Sequence, residues 1–132
     1  MRERIKKGTT GRNNIGRKEV LIKINKAGLT ATGEQRYSLA ARFADESYKK
    51  VSSNGYTAVE IDRELHRIYF IPAEPDEGFK FTGTKTEHNK SVTFSIRNRA
   101  EWEETEGCYY LLKDLKEGAY YVDYSNKLGE EK

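Results

Sequence analysis

One pattern constrains the fold of this chain more than any other. An order of strand, strand, short helix, strand, strand runs through residues 20 to 72 and is met again in residues 78 to 124. A unit of about 50 residues buries too little surface to be stable alone, so two such units point to one shared core. The repetition is one of hydrophobic period, not of residue identity.

Val20, Ile22 and Ile24 alternate with Leu21, Lys23 and Asn25, the period-two signature of a strand with one face on a core. A polar connection at 27–34 leads to a short run at 36–39. Ala40, Phe43, Ala44, Tyr48 and Val51 then share one helical stripe, which predicts a helix over 40–51, stopped by the Ser-Ser-Asn-Gly sequence at 52–55. Strands follow at 56–62 and 67–71, and Pro72 with Pro75 closes the unit, because proline cannot donate into a ladder. In the second half, Phe79 and Phe81 make one alternating run and Val92, Phe94 and Ile96 another, across a loop at 84–90. Asn98 is placed to cap a short helix that Gly107 ends, and strands at 108–115 and 119–124 form the last hairpin. The expectation is a β-rich α+β fold of two pseudo-repeated ββαββ units, 20–75 and 76–126, sharing a barrel-like core. A flexible basic arm, 1–19, precedes them and a tail, 127–132, follows.

Charge is divided unevenly. Residues 1–19 carry Arg2, Arg4, Lys6, Lys7, Arg12, Arg17 and Lys18 against Glu3 and Glu19, leaving 17 of the 24 basic residues and 19 of the 21 acidic ones for the remainder. A leader so poor in apolar groups cannot fold by itself. As a mobile arm it would gain affinity for a polyanion by releasing condensed counterions; as a bland alternative it is a solubilising tail. No apolar run approaches the roughly 18 residues of a membrane span, and the leader lacks the apolar stretch of a signal peptide, so a cytoplasmic location without membrane contact is expected. The lone cysteine, Cys108, fits a reducing compartment and reads as a small packed side chain.

The last two strands hold Tyr109, Tyr110, Tyr120, Tyr121 and Tyr124. Adjacent tyrosines in a strand point to opposite faces. One of each pair can enter the core while the other, beside Lys80, Arg97 or Lys113, offers a surface for base stacking or protein contact. On the second helix, Glu101, Glu103, Glu104 and Glu106 surround Trp102. That is either a first turn favoured by the helix dipole or an acidic protein-docking patch anchored by the tryptophan. His66 and His88 stand apart with no ligand spacing, and no nucleophile elbow or phosphate loop occurs, so no catalytic residue, metal or cofactor is expected.

The runs at 36–43, 55–61 and 67–72, which read RYSLAARF, GYTAVEI and RIYFIP, resemble the strand, helix, hairpin order of AbrB-type swapped-hairpin DNA-binding proteins. The doubling is similar to the tandem arrangement of the MraZ family. The resemblance implies interlocked halves in one barrel and places Arg36 and Arg42 where that family carries basic DNA-contacting side chains. The chain departs from the pattern in having Leu39-Ala40 for the proline before the helix and an extra strand ahead of each unit. Small size, a basic leader and the lack of catalytic motifs also resemble accessory proteins of phages and mobile elements, some of which are anti-CRISPR inhibitors. Two functions follow as expectations. The first is a non-enzymatic nucleic-acid-binding protein whose arm, with Lys23, Arg36, Arg42 and Arg97 on a sheet surface, follows a phosphate backbone. The second is a protein-binding inhibitor or adaptor using Trp102, its glutamates and exposed tyrosines. The oligomeric state is left open by the sequence.

Overall fold

A computed structural model describes residues 11–12, 15–16, 18–83, 89–115 and 118–131. The described residues form ten strands and two short helices: β1 Gly11–Arg12, β2 Glu19–Leu29, β3 Gln35–Ala44, α1 Asp45–Val51, β4 Tyr56–Asp62, β5 Arg67–Pro72, β6 Phe79–Lys80, β7 Asn89–Ile96, α2 Arg99–Trp102, β8 Cys108–Asp114, β9 Tyr120–Asp123 and β10 Gly129–Glu131. A 3-10 turn, Glu103–Thr105, continues α2.

The strands pair in the order β6, β4, β5, β9, β8, β2, β3, β7. A bridge between Thr82 and Ser91 joins the two ends of that order, so the sheet is a nearly closed barrel. Closure removes the exposed edges that an open sheet would leave. Inward positions follow the period of two: Val20 and Ile22 on β2, Leu39, Ala41 and Phe43 on β3, Ile68 and Phe70 on β5, Val92 and Phe94 on β7, and Val122 on β9 form one core cluster. Phe43 meets Phe70 and Phe81 edge to face at 4.9 and 5.5 Å, the favoured geometry for buried rings.

The helix expected over 40–51 is corrected. Only Asp45–Val51 is helical, and 40–44 belongs to β3, which lies between β2 and β7 and pairs with both along its length. Two ladders satisfy the backbone there on both sides, which outweighs a helical stripe that alternation fits equally well. The helix that remains places Asp45 and Glu46 in its first turn and Lys49 and Lys50 in its last, complementing the dipole. Beyond it Gly55, at φ +85°, makes the left-handed turn into β4.

Leader and tail, expected to carry no regular structure, contribute strands at five residues. Gly11–Arg12 runs parallel to β10, and β10 pairs with β8 at Tyr109 and Cys108. The reason is an edge: β9 covers β8 only at Leu112–Asp114, so the chain end supplies the missing partner for the first residues of β8.

Candidate nucleic-acid interface

The outward face of β3 and β7 carries most of the predicted basic side chains that the described part of the molecule holds. Because the strands pair Ser38 with Ser95, Ala40 with Thr93 and Arg42 with Ser91, the outward phase is a shelf of small hydroxyl and methyl groups. Arg42 stands exposed at one end. At the other end the same register, carried one residue past the pairing of Tyr37 with Ile96, sets exposed Arg36 beside exposed Arg97. Six residues of strand separate the two ends, about 20 Å. The shelf itself, from Arg36 to Arg42 and from Asn89 to Arg97, contains no carboxylate, and among the described residues none of the three arginines is in an ion pair.

Around Arg42 the shelf deepens into a cleft of about 350 Å³ lined by Asn25, Thr82, Gly83, Asn89, Ser91 and Thr93 with Ala40. Gly83 is required there, since a β-carbon would lie 2.7 Å from the carbonyl oxygen of Asn89. A guanidinium fork ringed by amide and hydroxyl donors, with no acid to compete, is suited to a phosphodiester oxygen.

The remaining predicted contacts are distributed otherwise. Lys23 on β2 points outward but its ammonium lies 2.6 Å from Glu131 and 3.1 Å from Glu106. The hydrogen bond to Glu131 holds its pKa above the ordinary lysine value, and the two carboxylates compete with a phosphate for its ammonium. Lys18 is exposed, and its carbonyl accepts a hydrogen bond from the Leu112 amide at 2.7 Å, which puts it beside β8 and away from the shelf. Of Arg12 only the backbone in β1 is described, and Arg2, Arg4, Lys6, Lys7 and Arg17 lie outside the described residues.

The acidic protein-docking patch loses its anchor. Trp102 is 1 % exposed and packs its ring 4.8 Å from that of Tyr124, so it belongs to the core and not to a surface. Its glutamates have local partners: Glu101 is paired with Arg63, Glu103 with Arg99 at 3.1 Å, and Glu106 with Lys23 while also accepting the Ile24 amide. Glu104 is exposed. The helix phase explains the reversal, since α2 turns its tryptophan onto the barrel and leaves the glutamates outside.

Tyr109 and Tyr110 are both buried, so the expectation of one outward ring in each pair is corrected for that pair, while Tyr120 faces the core and Tyr121 faces out. Tyr121 stands opposite Lys113 on β8 and Tyr69 on β5. Tyr69 and Arg67 were not picked out as surface groups by the sequence, although the alternation with Ile68 and Phe70 carried the signal. The same holds for Ser91, Thr93 and Ser95, the polar phase opposite Val92 and Phe94. Among the described residues no group of three or more His, Cys, Asp or Glu side chains is gathered to hold a metal ion.

Cys108 is buried, its thiol donating to the carbonyl of Glu104 at 3.2 Å, and burial pushes its pKa upward. A small alkylating reagent is therefore expected to modify it at least about tenfold more slowly in native buffer than in denaturant. Equal rates in the two conditions would contradict the packing described.

No protein-family model, curated protein or solved structure matches this chain.

Proposed function

We propose that this chain is a non-enzymatic nucleic-acid-binding protein that lays a phosphodiester backbone along the β3 and β7 face. The observation that carries the reading is the carboxylate-free shelf with Arg36 and Arg97 at one end and Arg42 in a donor-lined cleft at the other. In a chain where charged residues make up 34 % of the sequence, a face holding three arginines and no acid is a local field of one sign. The basic leader would add phosphate contacts to this path.

The reading also keeps the two halves as copies of one ββαββ unit, interlocked as in the AbrB and MraZ resemblance. The order of strand pairing supports it, since it maps onto itself when each strand is exchanged for its counterpart. The pairing of Ile61 with Ile68 then falls on that of Leu112 with Val122. Likewise Ile22 with Cys108 falls on Phe79 with Thr57, and Asn25 with Ser38 on Thr82 with Ser91. Leu39 with Phe94 falls on Val92 with Ala41. The implied axis passes between β3 and β7, and again between β5 and β9 on the opposite side of the barrel. Burial of Trp102 takes the tryptophan anchor away from the acidic patch.

Fluorescence anisotropy with labelled single-stranded and duplex DNA and RNA tests the function. Binding should weaken steeply with salt, and each of Arg36→Ala, Arg42→Ala and Arg97→Ala should lower the log-log salt slope by about 1. If the triple variant binds every oligonucleotide as tightly as the parent chain, the shelf is not the interface.

A further inference from the structure

On the side of the barrel opposite the shelf, the outward positions of β4, β5, β9 and β8 form a second surface with a different character. Cross-strand register places Glu60, Tyr69, Tyr121 and Lys113 in one row. A neighbouring row runs Asp62, Arg67, Asp123. The Tyr69 and Tyr121 rings stand 5.8 Å apart, and the Arg67 guanidinium lies 4.4 Å over the Tyr121 ring. On the other flank the pairing of Ala58 with Ile71 continues toward Leu115, whose amide donates to the Ala119 carbonyl at 3.0 Å and which is 40 % exposed. The result is a half-exposed aromatic and aliphatic surface on the outside of a sheet, which calls for a partner.

Three carboxylates, Glu60, Asp62 and Asp123, stand among two cations, Arg67 and Lys113. That balance disfavours a polyanion. It has instead an order that complements itself when reversed. If a second sheet is laid face to face with its strands aligned and related by a twofold axis parallel to them, β4 of one copy lies over β8 of the other and β5 over β9. Glu60 then meets the partner's Lys113, Tyr69 meets the partner's Tyr121, and Arg67 meets the partner's Asp123, each contact occurring twice. A twofold interface requires this self-complementarity.

We propose that this face is a homodimer surface and that its occupant is a second copy of the chain. Four strands and three rows of side chains cover roughly 400 Å² per copy, below the roughly 800 Å² of a standard stable interface, so the association is a weak, concentration-dependent one. The β3 and β7 shelf stays open on both copies. The inference therefore does not depend on the nucleic-acid reading.

Sedimentation velocity of the full chain from low micromolar to near-millimolar concentration tests it. The wild-type chain should move from monomer to dimer across that range. Glu60→Lys and Lys113→Glu should each weaken self-association by at least about tenfold, because each puts like charges opposite one another twice. An equimolar mixture of the two variants should regain it, since the heterodimer restores both opposite-charge pairs. That recovery separates a charge contact from damage to the fold. A chain that stays monomeric throughout overturns the proposal, as do charge variants that associate like the parent or a mixture that does not recover. A loss of oligonucleotide binding on Tyr69→Ala in a chain that stays monomeric would also overturn it, assigning the face to nucleic-acid bases instead. Failure of Arg42→Ala to change oligonucleotide binding would bear only on the opposite shelf.

Discussion

Replacing Trp102 with alanine is expected to cost about 3–5 kcal/mol of unfolding free energy, the range for emptying a buried large aromatic site. Trp102 is almost wholly enclosed, its ring lies against Tyr124, and its carbonyl accepts the Thr105 hydroxyl at 2.6 Å. A domain of this size carries about 5–15 kcal/mol in total, so the variant should melt roughly 10–20 °C lower. Trp102→Phe should recover part of the loss. Thermal denaturation followed by circular dichroism reads this directly. A surface anchor for a protein partner would behave in the opposite way, sparing the melting temperature and abolishing partner recovery.

Ala41→Pro is expected to prevent folding altogether. Ala41 is fully buried in β3 and pairs with Ile22 on one side and Val92 on the other. Proline would remove a ladder donor from a central strand and press its ring into the neighbouring chain, which sheets accommodate only at edges or bulges. The two readings of this segment diverge sharply here. Were 40–51 a helix, Ala41 would sit in its first turn, where proline is tolerated. Soluble, cooperatively melting Ala41→Pro protein would therefore contradict β3 as a central strand.

The misreading of that segment has a physical source. Leu39, Ala41 and Phe43 face the core, yet Ala40 on the other phase is buried too, so the run is apolar in both phases and fits either period. Strand β7 was legible because it is half-buried and alternates apolar with polar residues, as were β5 and the part of β2 beyond Ile22. The short β1 and β10 were not, since their two or three residues have no period and are held in place by neighbouring strands, whereas β6 was expected from the alternation of Phe79 and Phe81. Among the candidate site residues, charge picked out Arg97 and Lys23 and the AbrB resemblance placed Arg36 and Arg42, but neither showed that Lys23 meets two carboxylates, from β10 and from beside the 3-10 turn, far away in sequence. The glutamates around Trp102 suggested a surface because local sequence does not reveal which side of a short helix meets the barrel.

Residue order alone was enough to make this chain β-rich and to crowd its basic residues into the leader. These are properties of composition and short-range period, fixed wherever the chain goes. Long-range packing set β3 beside β7, which gathers three separate arginines and a row of hydroxyls on one face. It also decided that β5 pairs with β9, which aligns Glu60, Tyr69, Tyr121 and Lys113 on the other. Strand partners are chosen by how the whole set of apolar faces can close on one core, and no local window contains that information.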